Sequence, residues 1–143
     1  RDDLLIVTNS CQLAAAAAAE GNQVHLLGGV LRSEGQELVG GSTVEQIEDY
    51  RPDHVVLTVA GLDAAGIGDL DEQEATVARA MLATGGRLTV VADATKIRRR
   101  YLYRVCGLSR VSTLVIDEEP PADLAAQLRE ARVSVVVATR LTT

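Results

Sequence analysis

Three polar side chains with different chemistry follow one apolar run of the chain. The run covers residues 88–92, and Asp93, Thr95 and Lys96 directly after it supply a carboxylate, a hydroxyl and an ammonium within four residues. A lysine in such a position can pair with a phosphate, polarise a carbonyl or bond a neighbouring carboxylate. Asp93 and Lys96 are therefore the first candidates for a binding or catalytic site.

A glycine-rich and acidic stretch follows a second apolar run, residues 55–60. The loop predicted over residues 61–68 carries three glycines and Asp63, and Glu74 opens a helix predicted over residues 74–84. Acidic residues at a helix N-terminus complement the helix dipole, and they would repel a phosphate. We therefore expect at most one or two of the acids between residues 69 and 74 to bind a ligand, through its hydroxyl groups or its proton.

Both apolar runs have the composition of strands in a parallel sheet. They are short, rich in β-branched residues and almost continuously apolar, which is typical of strands covered on both faces. In open α/β sheets, ligand sites lie beyond the carboxyl ends of the strands. We therefore expect one edge of the sheet to collect the following residues: Gly61, Asp63, Gly66, Glu72, Glu74, Asp93 and Lys96.

The first predicted strand, residues 4–7, ends in residues that can cap a helix or bind an anion. These residues are Thr8, Asn9 and Ser10. The alanine-rich run after them predicts a helix over residues 11–19, and the first backbone N–H groups of that helix form a candidate anion site. The simpler interpretation is that Asn9 or Ser10 only caps the helix.

Pairs of glycines separate the next elements. Gly28 and Gly29 close a strand predicted over residues 24–27, and a second pair at 40–41 precedes a helix predicted over residues 43–50. Each pair either lets the backbone approach a ligand or only connects two elements. Ser42 and the glutamate three residues after it have the pattern of a capping box for this helix.

The rest of the chain continues the alternation of strands and helices. A short helix or turn is predicted over residues 101–108, strands over 114–117 and 133–138, and a helix over 121–131. Six candidate strands that alternate with helices predict an α/β fold with a mainly parallel sheet flanked by helices. The arginines between residues 98 and 110 are expected to form a solvated or subunit-contact surface.

Composition argues against several classes of protein. The chain has 143 residues and a net charge of −6, which predicts one domain that binds DNA poorly by itself. No apolar run approaches the roughly 20 residues that span a bilayer. Cys11 and Cys106 lack the spacing of a disulfide framework or a zinc site, which predicts a cytoplasmic chain without a metal or other cofactor. The only methionine is Met81, so we expect the chain to be a piece of a longer protein.

Seven short segments occur in the order in which one family of proteins carries them. They are TNS at 8–10, LLGG ending at Gly29, ELVGG at 37–41, GLDAAG at 61–66, EATVARAM at 74–81, ADATK at 92–96 and LVID ending at Asp117. Together they cover nearly the whole chain and resemble the C-terminal effector domain of DeoR-family transcriptional regulators. Each segment alone is a weak signal, and their shared order makes the resemblance fairly specific.

The resemblance implies a sensor domain with a fold like that of ribose-5-phosphate isomerase and CoA transferases. Such a domain binds a phosphorylated sugar and governs a winged helix-turn-helix upstream, so DNA would be contacted only through a part of the protein outside this chain. A two-fold DNA reader also implies a homo-oligomer. By the same likeness, Asp63 matches the family's Gly-x-Asp element, Glu74 its helix-opening glutamate, and Lys96 its Asp-x-Ser-Lys element, with Thr95 in place of serine.

The chain departs from the enzyme in two places. Gly66, Ile67 and Gly68 stand where the isomerase carries Lys-Gly-Gly. The Gly-Thr-Thr phosphate loop of the family would precede Arg1, so the first part of the sensor domain is expected to lie upstream of this chain.

Three hypotheses for the function follow. The first is a sensor without catalytic or metal-binding residues, whose effector-binding residues are Thr8, Asn9, Ser10, Gly28, Gly29, Gly61, Asp63, Gly66, Glu74, Asp93 and Lys96. The second is an aldose–ketose isomerase, in which Glu74 moves a proton between adjacent carbons and Lys96 stabilises the enediolate. The third is an oligomerisation module whose pocket is vestigial.

Overall fold

The computed structural model describes residues 3–138. The chain divides into two compact units on either side of the bond between Tyr50 and Arg51. The first unit is described over residues 3–50 and the second over residues 51–138.

The first unit is a small parallel sheet with one crossover helix, followed by a short antiparallel pair and a second helix. Its elements are β1 (Leu5–Thr8), α1 (Cys11–Ala19), β2 (Gln23–Leu26), β3 (Val30–Leu31), β4 (Leu38–Val39) and α2 (Gly41–Ile47). β1 pairs with β2 in parallel, and β3 pairs with β4 in antiparallel orientation. β1, α1 and β2 confirm the predicted order of strand, helix and strand in this part of the chain.

The two helices of the first unit begin in different ways. The Ser10 side chain caps α1 by accepting a hydrogen bond from the N–H of Leu13 at 3.3 Å, which confirms the capping interpretation. The predicted capping box at Ser42 is wrong, because α2 begins at Gly41 and its start carries no side-chain cap. Gly40 takes a φ of 105°, a conformation open to glycine, so the chain enters the helix before it reaches Ser42.

The second unit contains a four-stranded parallel sheet and a three-stranded antiparallel sheet. Its elements are β5 (His54–Thr58), β6 (Gly61–Asp63), β7 (Gly66–Asp69), α3 (Glu72–Ala83), β8 (Arg87–Val91), β9 (Tyr103–Cys106), β10 (Val111–Ile116), α4 (Ala122–Glu130) and β11 (Ser134–Val137). The parallel sheet has the strand order β11-β10-β8-β5. The predicted α/β fold with a mainly parallel sheet flanked by helices is confirmed.

The core of the second unit lies on one face of the parallel sheet. Leu82 of α3 and Leu128 of α4 belong to one buried cluster with Val90 and Leu114 from the strands. Successive right-handed crossovers that move in one direction along a sheet place their helices on the same face. The expectation that both faces of these strands are covered is wrong within the described residues, since Val56 on the opposite face is 62% exposed.

The glycine-rich stretch after β5 is a hairpin and not the predicted loop. β6 and β7 pair in antiparallel register around Ala64 and Ala65, and β9 pairs with β7, so the helix or turn predicted over residues 101–108 is also wrong. Glycine occupies these strand positions because another part of the chain packs so closely against them that a side chain would not fit. A Cβ on Gly66 would lie 1.9 Å from the carbonyl oxygen of Cys106, and one on Gly61 would lie 2.2 Å from that of Arg99.

The arginines between residues 98 and 110 do more than form a solvated surface. The Arg110 guanidinium donates hydrogen bonds at 3.2 Å to the carbonyl oxygens of Leu82, in the last turn of α3, and of Gly86, shortly after that helix. Cations at this end complement the helix dipole and satisfy its last carbonyls. Arg98 forms an exposed ion pair with Asp123.

We expect the Gly68→Ala variant to be destabilised. The new Cβ would lie 2.1 Å from Cδ2 of Tyr101 and 2.5 Å from the carbonyl oxygen of Tyr103, so the ring or the strand must shift. Overpacking of this kind costs about 1–3 kcal/mol. Urea unfolding followed by circular dichroism measures the loss. Gly41→Ala is the matched control, since no atom lies within 4 Å of its Cβ, and equal stability of the two variants would contradict the packing.

Candidate functional site

The segment that follows β8 forms a tight turn at the carboxyl edge of the parallel sheet. Ala94–Lys96 make one turn of 3₁₀ helix, and the Asp93 carboxylate caps it by accepting hydrogen bonds from the Thr95 N–H at 2.9 Å and from the Thr95 hydroxyl. The neighbouring strand β10 contributes Asp117, whose Oδ1 accepts a hydrogen bond from the Ala94 N–H at 2.7 Å. Two carboxylates therefore fix the backbone that carries Lys96.

Asp93 is held in its ionised form. The hydrogen bonds from the Thr95 hydroxyl and N–H lower the pKa of the Asp93 carboxyl, and the positive charges of Lys96 and Arg99 act in the same direction. Lys96 is half-buried, and its ammonium makes no hydrogen bond or ion pair with any residue in the part of the chain that the structure describes. The turn thus presents an available cation beside a carboxylate that stays charged.

Asp63 is held in place by a tyrosine. Its Oδ1 accepts a hydrogen bond from the Ala65 N–H at 2.9 Å, which closes the hairpin turn, and another from the Tyr101 hydroxyl at 3.1 Å. The Tyr101 ring lies against Gly61 and Gly68, which are paired directly across the hairpin. A side chain on either glycine would displace the ring, so the glycine pair makes the room that lets the Tyr101 hydroxyl reach Asp63.

A backbone contact brings the hairpin and the turn side by side. Leu62 of β6 forms a parallel bridge with Ile97, and the Arg98 N–H donates to the Leu62 carbonyl oxygen at 2.7 Å. Asp63 follows Leu62 and Lys96 precedes Ile97, so the two residues lie on adjacent segments. The structure therefore brings Gly61 and Asp63 together with Asp93 and Lys96 at one edge of the second unit, as the sequence predicts.

The other two predicted residues of the second unit lie at the start of α3 and at the hairpin turn. α3 begins at Glu72, two residues before the predicted start, because Asp71 caps it by accepting hydrogen bonds from the N–H groups of Gln73 and Glu74 at 2.9 and 3.0 Å. Glu74 therefore lies inside the first turn of α3 and is half-buried. Gly66 is buried at the hairpin turn with a φ of 135°, where it packs against the backbone of Cys106.

The five predicted residues of the first unit lie at the carboxyl edge of its two-stranded sheet. The Leu27 N–H donates to the Thr8 carbonyl oxygen at 2.8 Å, so the ends of β1 and β2 are adjacent. The Thr8 hydroxyl accepts a hydrogen bond from the Ser10 N–H at 3.1 Å, and the Asn9 amide donates to the Leu38 carbonyl oxygen at 3.0 Å. These bonds give all three polar residues a role in holding the fold.

Gly28 and Gly29 are held against α2. The Gly28 N–H donates to the Gln46 side chain at 2.9 Å, and its carbonyl oxygen accepts from the Thr43 hydroxyl at 2.7 Å. A Cβ on Gly29 would lie 2.0 Å from that hydroxyl oxygen. The glycine pair therefore allows a close approach between loop and helix inside the protein.

Two residues of the site were not among the predicted ones. Tyr101 was placed in a helix or turn, and nothing in its sequence neighbourhood indicates that its ring reaches the hairpin. Asp117 had a signal, since it ends the LVID segment and follows an apolar strand as Asp93 does. A further signal is that Lys96 is the only lysine in the sequence, among thirteen arginines.

A surface cleft of about 540 Å³ lies on the second unit away from these residues. It is lined by the hairpin turn at Ala64 and Ala65, by Arg104 and by Gln127 and Glu130 of α4. None of the predicted site residues lines it.

The described residues contain neither a metal-binding cluster nor a helix that could span a membrane. Between residues 3 and 138, no group of three or more His, Cys, Asp or Glu side chains is arranged to hold a metal ion. Within the same residues, no helix has both the length and the apolar character needed to cross a membrane.

We expect Tyr101→Phe to remove a tyrosine that ionises at unusually high pH. Burial raises the pKa of Tyr101, and the hydrogen bond and negative charge of Asp63 raise it further. The contribution of the neutral Tyr101 side chain to folding stability is complete below the pKa of an unfolded tyrosine, about 10. It is lost as the pH rises through the higher pKa of Tyr101 in the folded state. Ultraviolet titration of the wild type and the variant measures the difference. If the part of the titration curve that the variant lacks has a midpoint at or below a pH of about 10, the buried and hydrogen-bonded environment of Tyr101 is contradicted.

Comparison with known proteins confirms the resemblance seen in the sequence. The model of the DeoR C-terminal sensor domain family matches residues 1–118. The repressor CsqR of Escherichia coli K12 is 29% identical over 94% of this chain and 52% of its own length. The repressor GlcR of Bacillus subtilis is 30% identical over 82% of this chain and 46% of its own length.

The glycerol-3-phosphate regulon repressor of Escherichia coli K12 is 28% identical over 90% of this chain and 52% of its own length. The chain spans about half the length of the curated relatives it matches. The family match covers far more than half of the 143 residues, and the chain therefore belongs to the DeoR C-terminal sensor domain family.

Proposed function

We propose that this chain is the sensing part of a cytoplasmic transcriptional regulator, which binds a phosphorylated sugar and thereby changes DNA binding by a helix-turn-helix elsewhere in the full-length protein. Membership of a sensor-domain family and the naming of relatives as repressors support a regulator over an isomerase. The name of one relative refers to a phosphorylated metabolite, glycerol 3-phosphate. The net negative charge of the chain supports DNA contact through another part of the protein, and a homo-oligomer would match the two-fold symmetry of most DNA sites.

The observation that carries the ligand class is the available ammonium of Lys96. It lies at the carboxyl edge of a parallel sheet, where α/β proteins bind their ligands, and no partner among residues 3–138 neutralises it. A bound phosphate would pair with the Lys96 ammonium and balance its positive charge. The carboxylates of Asp63, Asp93 and Asp117 repel a phosphate but accept hydrogen bonds from sugar hydroxyls. The ammonium and the carboxylates together therefore suit a ligand whose phosphate lies at Lys96 and whose hydroxyls face the carboxylates.

The remaining predicted residues enter the proposal with different weight. Thr8, Asn9 and Ser10 precede α1, where the N–H groups of Cys11 and Leu13 already donate to the Gln36 carbonyl oxygen and the Ser10 side chain, so we give this start a lower weight as an anion site. Gly28 and Gly29 lie at the end of the neighbouring strand. Gly61, Gly66 and Glu74 shape the hairpin and the start of α3, so we assign them to the support of the site.

The energetics of sensing are modest. Affinities between micromolar and millimolar correspond to about −8 to −4 kcal/mol, which suits a metabolite sensor. A coupling free energy of about 1–3 kcal/mol between the effector site and the DNA-binding part changes DNA affinity several-fold to a hundredfold. Binding energy in such a protein favours one arrangement of the subunits and is not directed at a transition state.

A thermal-shift screen of the full-length protein tests the ligand class. Phosphorylated pentoses, hexoses, ketoses and glycerol are compared with the same compounds without phosphate, and isomerase turnover is measured on each hit. We expect a rise in melting temperature that requires the phosphate and occurs without turnover. Turnover that Glu74→Gln abolishes would establish the isomerase instead. No shift with any phosphorylated compound would contradict the sensor and favour a vestigial pocket.

We expect Lys96→Met to remove the response to phosphorylated ligands. A charge-assisted hydrogen bond contributes about 1.5–3 kcal/mol, so affinity should fall at least about tenfold while the melting temperature without ligand stays close to that of the wild type. Arg100→Met is the matched control, because Arg100 is an exposed cation on the same segment. An unchanged ligand response in Lys96→Met, or an equal loss in both variants, would contradict the assignment of Lys96.

A further inference from the structure

No described element of the second unit covers one face of its four-stranded parallel sheet. Both crossover helices pack on the other face of the sheet. Residues that belong to the two faces alternate strictly along β5 and β8. On the uncovered face, Val56 of β5 is 62% exposed, Val91 of β8 is 39% exposed and Val136 of β11 is 47% exposed. Three strands of the sheet thus present valines to solvent in the described chain.

The composition of this face is that of a buried surface. Its central positions carry only valine, threonine and serine: Val56, Thr58, Thr89, Val91, Thr113, Val115, Ser134 and Val136. Charged or titratable side chains occur only where the strands begin, at His54 and Arg87. A solvated sheet face normally carries polar and charged residues, whereas parallel sheets occur almost only with both faces covered.

The edge of the sheet is also unprotected. β5 is the last strand of the sheet, and no strand among residues 3–138 pairs with its outer side. Natural edge strands are usually blunted by charges, prolines or bulges. The segment from His54 to Thr58 contains none of these between its ends. Both the face and the edge near Val56 thus lack a covering element.

The size of the uncovered face distinguishes between two occupants, a second copy of the chain and a helix of the same polypeptide. Four strands at about 4.8 Å spacing and five residues at about 3.3 Å each give roughly 300 Å². A stable interface between two copies takes about 800 Å² from each partner, so this face alone is too small for a dimer. A helix is about 10 Å across, so one or two helices of the same polypeptide fit the width of the sheet.

We propose that a helical segment from the N-terminal half of the full-length protein packs its apolar side on this valine face. The inference rests on the proposed function, in which the chain is the sensor of a longer regulator. Relatives have about twice the length of the matched region, and the family is that of a C-terminal domain, so the additional residues of such proteins lie on the N-terminal side.

This placement joins the covering segment to the effector site. Val91, on the uncovered face, is the last residue of β8 and precedes Asp93 by two residues, and Lys96 follows in the turn. A ligand bound by Lys96 would therefore lie within a few residues of the surface on which the helix rests.

Cysteine labelling of the full-length protein tests the proposal. Val56→Cys, Val136→Cys and the control Ala126→Cys are each made in a background with Cys11 and Cys106 replaced, since Ala126 is exposed on α4. We expect a maleimide to label the two valine positions at least about tenfold more slowly than position 126, because labelling of a covered side chain requires local opening. The slow rates should not change when the protein is diluted.

Three results would overturn the proposal. Labelling of both valine positions as fast as position 126 would show a bare face. Protection that disappears on dilution would show that a second copy covers it. Hydroxyl-radical footprinting of the unsubstituted protein repeats the question without cysteines, and oxidation of Val56 as fast as that of Leu102, which is 72% exposed, would contradict the proposal as well. The ligand screen is independent of all three, so sensing and docking can fail separately.

Discussion

The handedness of parallel crossovers is the constraint on which the second unit depends. β5, β8, β10 and β11 follow one another across the sheet in a single direction, so right-handed connections place α3 and α4 on the same face. The same arrangement aligns the carboxyl ends of the strands, which brings the Asp117 carboxylate to the Ala94 N–H. One geometric rule therefore fixes where the candidate site lies and which face the crossover helices leave open.

A second, local constraint completes the site. Tyr101 fills the space above two glycines that face each other across a hairpin, and its hydroxyl holds the Asp63 carboxylate. The Leu62–Ile97 bridge then ties this hairpin to the turn that carries Lys96. Backbone pairing positions most side chains of the site, so few of them are held by long-range side-chain contacts alone. The same pairing leaves the Lys96 ammonium available for a ligand.

The elements that sequence reasoning predicted are those whose signals are local. Apolar β-branched runs gave the six parallel strands, and Ser10 before an alanine-rich run gave α1 with its cap. The hairpin and β9 were missed because their glycines serve contacts with Tyr101 and Cys106, which lie far away in sequence. Asp93 and Lys96 could be placed at the carboxyl edge because strand direction alone determines it, whereas the Leu62–Ile97 bridge holds Asp63 beside them. The uncovered face could not be predicted, because an apolar strand does not reveal on which side its crossover helix will pack.

The valine face also bears on how such regulators can be recombined. A helix that packs there contributes to the hydrophobic interior of the sensor, although it belongs to the other half of the polypeptide. The boundary between the halves in sequence is then different from the boundary between folding units. A chimera that joins this sensor to a foreign DNA-binding half keeps its stability only when that helix is transferred with the sensor, so the exchangeable cassette is longer than the sensor domain itself.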